Sequence, residues 1–109
     1  PADPIPNWIR TAQTDKNVAE IFQVLCTSVL NLINLYKVYE IIKSDVGGKD
    51  KIADNGWATK GQIKLFTQTA QLHRHGKLEH YEPPKKPMKS DEAESFVKKI
   101  LRKWLQTKL

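Results

Sequence analysis

All three histidines of this chain fall within one short segment, which also carries an arginine and a lysine: His73, Arg74, His75, Lys77 and His80. Histidine has the ordinary pKa nearest to neutrality, so it can take up or release a proton at physiological pH. Arginine stays charged and presents a planar fork of N–H donors that matches a phosphate group. The segment therefore has the residue types needed for phosphodiester chemistry, although a solvated basic surface would have the same composition.

Metal binding is a second chemistry that three histidines could support. Zinc takes imidazole ligands, and Glu79 or Glu82 could complete the coordination shell. On a helix, however, residues two positions apart point about 200° away from each other, so His73 and His75 would diverge. The neighbouring arginine and lysine also repel a divalent cation. We therefore expect neither a metal site nor a cofactor in this segment.

The sequence contains no sign of an activated nucleophile. Its single cysteine, Cys26, lies in an apolar run, where we expect it to be buried on a helix without a neighbouring base. Ser28 and Ser44 fall on the same predicted helix, and Ser90 stands where a helix cap is expected. One cysteine cannot form an intrachain disulfide, which favours a reducing, cytoplasmic setting.

The basic residues are concentrated in the second half of the chain. Residues 1–58 carry six basic and seven acidic side chains, whereas residues 59–109 carry twelve basic and five acidic ones. A positive surface of this kind attracts a phosphate backbone, so RNA or a nucleotide is the expected partner. The residues predicted to contact it are His75, Lys77, Tyr81, Lys85, Lys86, Lys98, Lys99, Arg102 and Lys103. A basic protein without a nucleic-acid partner stays the alternative.

The elements that must position these residues are helices. The apolar periodicity predicts an all-α fold, a small bundle of four to five helices that forms a single domain over residues 1–109. Residues 1–14 form a short helix or an extension, and they lack the pattern of an export signal, which suggests a processed or trimmed chain. Asp15 is the predicted cap of one long central helix, which ends at Gly47.

The second half of the chain is predicted to add two further helices. Residues 49–57 are expected to form a loop, and Thr59 with Gln62 has the form of a capping box at the start of the next helix. On that helix His73 is expected to face the core. A connector rich in proline and lysine covers residues 82–89, and Ser90 is expected to cap the last helix.

The long central helix dominates the predicted core and also exceeds it. The side chains expected in the core are Phe22, Leu25, Val29, Leu32, Tyr36, Phe66, Ile100 and Trp104. A helix of roughly 30 residues would be about 45 Å long, more than a monomer of this size easily covers. We therefore predict a homodimer that forms through this helix. Charged and amide residues interrupt its apolar stretch, so we expect no association with a membrane.

The pair Arg74 and His80 resembles the Arg-x4-6-His motif of the HEPN superfamily, the higher-eukaryote and prokaryote nucleotide-binding helical domains. The predicted order of helices over about residues 15–109 is similar to the layout of those domains. The resemblance implies a metal-independent RNA-cleaving site that is usually completed across a dimer. It implies that Arg74 holds the scissile phosphate while His80 moves a proton to or from the 2′-hydroxyl or the leaving oxygen.

Two functions without catalysis stay open. The same basic residues could bind RNA or nucleotide phosphates without cutting them, with Tyr81 as a platform on which a base stacks. The chain could instead be a helical interaction or dimerisation module that uses its excess apolar surface to bind an unknown partner. In that function residues 84–87 would be an extended ligand, although a rigid connector is the commoner use of such prolines.

Overall fold

The structure, a computed structural model, describes residues 4–27, 29–75 and 84–108, with the side chains of these ranges from residue 8 onward except those of residues 73–75. The described residues form six α-helices and no strand: α1 (Pro4–Thr14), α2 (Lys16–Thr27), α3 (Leu32–Val46), α4 (Lys49–Asp54), α5 (Lys60–His75) and α6 (Ser90–Lys108). The predicted all-α bundle is confirmed. It has more helices than the four to five expected, because two segments differ from the prediction.

The first difference concerns the long central helix. Its prediction is wrong, because the chain leaves the helical conformation between α2 and α3. Asn31 caps α3: its backbone is extended, and its side-chain oxygen accepts a hydrogen bond from the Asn34 N–H at 2.9 Å. The Asn34 side-chain amide in turn donates to the Val29 carbonyl oxygen at 2.5 Å. These bonds satisfy backbone groups that a continuous helix would pair, so the break is stable although the apolar pattern runs through it.

The break also changes which residues form the core. The buried stripe of α2 consists of Val18, Ile21 and Val24, and that of α3 consists of Leu35, Val38, Tyr39 and Ile42. Among the predicted core residues Phe66, Ile100 and Trp104 are buried, whereas Phe22, Leu25, Leu32 and Tyr36 are only partly buried. Val29 was wrongly placed in the core, because it lies in the break and is 78% exposed. Cys26 is exposed as well, since it lies on the side of α2 away from the buried stripe.

The second difference lies between α3 and α5, where the predicted loop contains α4. This helix has only six residues and one fully buried side chain, Ile52, so it is too short to show a helical period in the sequence. The predicted end of the preceding helix is confirmed: Gly47 has a left-handed backbone with φ +96°, and the Gly48 N–H donates to the Lys43 carbonyl oxygen at 2.8 Å. The capping box of α5 is also confirmed by reciprocal bonds between Thr59 and Gln62 of 2.9 and 3.1 Å.

The last helix, α6, packs against α3 and completes the core. Its inner side contributes seven buried side chains: Ala93, Phe96, Val97, Ile100, Leu101, Trp104 and Leu105. Burying a large apolar side chain contributes about 1.5–3 kcal/mol, so these residues make α6 the main partner of α3 in stabilising the bundle. Phe96 and Phe66 stack with their ring centroids 4.9 Å apart, which joins α6 to α5.

The connector that leads into α6 is held by a buried threonine. The hydroxyl of Thr69 on α5 is inaccessible to solvent and accepts a hydrogen bond from the Met88 N–H at 3.0 Å. Two residues later α6 begins, and the Lys89 N–H donates to the Glu92 carboxylate at 3.3 Å. Ser90 is thus the first residue of the helix and not its cap. The Glu92 carboxylate accepts from the N–H of Lys89, as it does in a capping box whose capping position is Lys89.

Candidate functional site

The predicted catalytic pair lies outside the described side chains. The backbone of Arg74 and His75 belongs to the last turn of α5, but their side chains are outside the described part of the structure. The same holds for the orientation of His73. Lys77, His80 and Tyr81 also lie outside the described residues. The convergence of Arg74 and His80 on one phosphate therefore stays a prediction.

The predicted basic residues that are described do not form one surface. All four on α6, Lys98, Lys99, Arg102 and Lys103, are exposed, as are Lys85 and Lys86 in the connector. On α6 they fall on two sides of the helix. Lys98 and Arg102 border a hollow on the α3 side, whereas Lys99 borders a hollow on the α5 side. The structure thus separates residues that the sequence grouped together.

On the α5 side, four lysines from three helices border two neighbouring hollows. Lys60 and Lys99 border the hollow beside the start of α5, and Lys60 also borders a second hollow with Lys49 and Lys64. We call Lys49, Lys60, Lys64 and Lys99 the lysine cluster. No carboxylate of the described residues lies within ion-pair distance of these four ammonium groups, although Asp50 and Asp54 line the same hollows.

The start of α5 adds to the positive potential of the lysine cluster. The N-terminal end of a helix carries roughly half a positive charge, and acidic residues in the first turn would normally offset it. The first turn of α5 has no acidic residue. The cluster can therefore attract and hold an anion such as a phosphate group through point charges, but among the described residues it contains no histidine or cysteine to move a proton or attack a bond.

Sequence reasoning missed three of these four lysines. Lys60 and Lys64 are four positions apart on one helix and so share a face, which is a signal that the sequence does contain. Lys49 and Lys99 come from other helices, and only the packing of α4 and α6 around α5 places them nearby.

A second surface lies between α3 and α6, where two hollows meet at Leu30 and Leu35. One hollow has an apolar floor that includes Trp8, Val38 and Leu101, with Lys98 and Arg102 at its edge. The other is bordered by Asp91 and Glu94. We call the two together the α3–α6 groove. Exposed apolar side chains stand beside it, because Leu30 is 42% exposed and its neighbours Val29 and Ile33 are 78% and 55% exposed.

Among the described residues, a group of three shifted pKa values lies where Lys108, at the end of α6, contacts two carboxylates. Its ammonium group is 2.8 Å from Asp15 and 3.0 Å from Asp45. The hydrogen bond from Lys108 to Asp15 lowers the pKa of Asp15. The same bond raises the pKa of Lys108. Burial acts to raise the pKa of Asp45, but hydrogen bonds from Asn17, Trp104 and Lys108 outweigh it, so the net shift is downward.

This group of charges is a structural clamp and not a reaction centre. The Trp104 indole N–H and the Asn17 amide both donate to Asp45, at 2.8 and 2.7 Å, while Asp15 also caps α2 through the Asn17 and Val18 N–H groups. Every carboxylate oxygen therefore already has a protein donor. Such a network joins the start of α2 to the ends of α3 and α6, and its hydrogen bonds serve the packing of these helices.

One buried polar group has no partner among the described residues, the hydroxyl of Tyr39. Its ring lies in an aromatic cluster with Tyr36, Phe66 and Phe96, at centroid distances of 5.3–6.4 Å. Burial, with smaller effects of Glu40 and Tyr36, raises the pKa of Tyr39 to about 12. The hydroxyl thus stays protonated at physiological pH, and none of the hollows described above borders it.

The described residues hold no group of three or more histidine, cysteine or acidic side chains arranged to bind a metal ion. None of their helices is both long enough and apolar enough to cross a bilayer. Comparison of the chain with protein-family models, with curated proteins and with solved structures finds no match.

Proposed function

We propose that this chain binds the phosphate backbone of single-stranded RNA through the lysine cluster. The observation that carries the proposal is the position of four lysines, without carboxylate partners among the described residues, around the uncompensated positive end of α5. Lysine ammonium groups on flexible stems suit a phosphate backbone whose spacing varies, and they carry no sequence preference. The basic residues predicted from the sequence at Lys77, Lys85 and Lys86 would extend this contact.

RNA rather than another polyanion is proposed because of the Arg74 and His80 motif and its resemblance to the HEPN domains. In this proposal Arg74 neutralises the scissile phosphate, and His80 transfers a proton to or from the 2′-hydroxyl or the leaving oxygen, without a metal ion. The lysine cluster then only holds the strand. The proposal includes the cytoplasmic setting that the single cysteine favours.

The binding proposal is tested by fluorescence anisotropy of a labelled single-stranded RNA over a series of salt concentrations. Replacing Lys60 and Lys64 together by alanine should weaken binding roughly tenfold at physiological salt. Each lysine that contacts a phosphate of a single strand releases about 0.7 counterion on binding. Removing two lysines should therefore lower the magnitude of the slope of log K against log salt by about 1.4. The matched control is Arg10→Ala with Lys16→Ala, which removes the same charge from exposed positions on α1 and α2.

Equal losses in the two double variants would show that net charge alone drives the binding, and the proposed lysine cluster would be wrong. An unchanged slope in Lys60→Ala/Lys64→Ala would show that these two lysines do not contact phosphate, which would also overturn the lysine cluster. Circular dichroism of both variants checks that the helices are intact. We expect them to be, because all four substituted positions are exposed.

A second candidate function is that of a dimerisation module, and one observation favours it. Val29 and Leu30 in the break between α2 and α3, with Ile33 in the first turn of α3, form an exposed apolar patch beside the α3–α6 groove. Contiguous apolar surface of this kind marks interaction sites more often than chance exposure does. The homodimer predicted through a single long helix is therefore proposed again, now through the surface beside this break.

A further inference from the structure

The charges along the exposed edge of α6 follow an ordered pattern. Asp91 and Glu94 lie near its start, Lys98 and Arg102 lie further along it, and all four border the α3–α6 groove. Residues 91, 95, 98 and 102 fall within about 60° on a helix, so they form one stripe, with residue 94 on the side nearer the groove. The stripe therefore changes from acidic to basic along the groove.

This pattern is complementary to itself when it is reversed. In an antiparallel pair of identical helices related by a two-fold axis, Asp91 would face the partner's Arg102 if the axis passed between residues 96 and 97. Glu94 would face the partner's Lys98 if the axis passed at residue 96. The two pairs thus require nearly the same axis, and both chains would contribute identical pairs on either side of it. Ser95, an exposed small residue near that axis, allows the two helices to approach closely.

We propose that the α3–α6 groove, with Val29, Leu30 and Ile33, is the interface at which a second copy of this chain binds. This inference rests on the second of the two functions above and specifies the residues and the orientation of its interface. The apolar side chains would supply buried area, and the charged stripe would fix the antiparallel orientation. A partner of uniform charge would match only one half of the stripe, whereas a second copy matches both halves.

The outer charges of the stripe are available for this contact. Neither Asp91 nor Arg102 has an ion pair with another described residue, whereas Glu94 and Lys98 already contact each other at 3.0 Å. Pairing across the two-fold axis would therefore join Asp91 to Arg102 directly and extend the existing Glu94–Lys98 pair into a four-charge network. Networks of this kind contribute more to orientation than isolated surface pairs do.

The experiment is a charge exchange followed by sedimentation velocity. The variant Asp91→Lys/Glu94→Lys makes the stripe entirely basic, and Lys98→Glu/Arg102→Glu makes it entirely acidic. Each variant alone should dimerise at least tenfold more weakly than the original chain, because like charges would face each other. An equimolar mixture of the two should form a heterodimer, because the basic stripe of one then faces the acidic stripe of the other.

A control reverses two charges at exposed positions that border neither hollow of the α3–α6 groove, Lys51→Glu/Lys103→Glu, and should leave dimerisation unchanged. Val29→Ser/Ile33→Ser should weaken it without changing any charge. If the original chain dimerises but the mixture does not recover association, this interface is wrong while the dimerisation function stands. A monomer at every concentration overturns both. Lys60→Ala/Lys64→Ala should still dimerise, so a failure of RNA binding is separable from a failure of this interface.

Discussion

Asp45 is the residue at which three helices are joined, since it accepts hydrogen bonds from α2 and α6 while it lies near the end of α3. Its contacts also make the stability of the fold depend on pH. The pKa values of Asp15 and Asp45 lie below the ordinary 3.8 in the folded chain, and that of Lys108 lies above the ordinary 10.5. The two carboxylates thus stabilise the fold above their unfolded pKa values, and Lys108 does so below its unfolded pKa.

The stabilisation by these groups should therefore be complete between about pH 5 and pH 9. It should be lost on the acidic side as pH falls through the lowered pKa values of Asp15 and Asp45. On the alkaline side it should be lost as pH rises through the raised pKa of Lys108. Asp45→Asn should cost about 1–2 kcal/mol at neutral pH and reduce the acid dependence, as measured by urea unfolding over the pH range. Asp54→Asn, an exposed control, should do neither.

A loss of stability in Asp45→Asn that is equally large at a pH below the lowered pKa values of Asp15 and Asp45, where the carboxylates of the original chain are also protonated, would show that the charge of Asp45 does not stabilise the fold. The cost would then belong to the altered side-chain packing around Trp104.

Tyr39 allows a second prediction at the same scale. Its hydroxyl is buried without a described partner, and an unpaired hydroxyl in an apolar site costs about 1–3 kcal/mol. Tyr39→Phe keeps the ring contacts with Phe66 and Phe96 and removes that cost, so it should raise the free energy of unfolding by about 1 kcal/mol. Tyr39→Ala, which removes the ring, should lower it by about 3–5 kcal/mol. Thermal unfolding of the three chains measures both changes, and a less stable Tyr39→Phe would reveal a partner for the hydroxyl.

At the scale of the elements, two glycines near helix ends differ in whether their backbone conformation requires glycine. Gly47 ends α3 with a φ of +96°, a conformation that an L side chain rarely adopts. Gly61 lies in the first turn of α5 with an ordinary backbone, and an added methyl group would meet only the Thr59 hydroxyl at 3.9 Å. The same substitution should therefore act in opposite directions at the two positions.

Gly47→Ala should lower the free energy of unfolding by about 1 kcal/mol or more, because alanine is strained at positive φ. Gly61→Ala should raise it by about 0.5–1 kcal/mol, because alanine loses less conformational entropy in a helix. Urea unfolding of the two variants measures the difference in sign. A stabilising Gly47→Ala would mean that the end of α3 can rearrange to a conformation that does not need glycine.

The elements also show what the sequence could and could not predict. Caps at Asp15 and Thr59, and the glycine end at Gly47, depend on local hydrogen bonds and were predicted correctly. The break before α3 was missed because Val29 and Leu30 keep the apolar period while Asn31 supplies a cap in the middle of it. Helix α4 was missed because one buried isoleucine cannot produce a periodic signal.

The candidate site was predictable only in part, for a related physical reason. Charge along the sequence predicts Lys99 as a phosphate contact, and the i, i+4 spacing of Lys60 and Lys64 places these two lysines on one face of a helix. The position of Lys49 beside them follows from how α4 packs against α5, which no local pattern contains. The separation of Lys98 from Lys99 likewise depends on where α3 and α5 lie around α6.

At the scale of the whole molecule, the two proposed surfaces lie on different sides of α6, so binding of RNA and binding of a second copy need not compete. One dimer would carry two lysine clusters. Two linked sites can raise the apparent affinity for a long strand well above that of each site, provided that the strand can span both. The number of lysine clusters per protein particle therefore affects the apparent RNA affinity in any test of cleavage.

The proposed cleavage should be tested with intact protein in the presence of a chelator. Single-stranded RNA should be cut and DNA of the same sequence should survive, because DNA lacks the 2′-hydroxyl that attacks the phosphate. His80→Ala should abolish cleavage while RNA binding persists, since the lysine cluster is intact in that variant. Gel analysis of end-labelled strands measures the cleavage. Cleavage that is unchanged in both His80→Ala and Arg74→Ala would exclude this pair as the active site.

The covering of α3 by α6 also has a consequence for how the chain is made. A ribosome produces α3 first and reaches the end of α6 about 60 residues later, which at 5–20 residues per second takes roughly 3–12 s. During that interval Leu35, Val38 and Ile42 lack the helix that buries them in the finished fold. The nascent chain thus exposes an apolar helix face for several seconds, and transiently exposed apolar surface of this kind favours aggregation until α6 has been made.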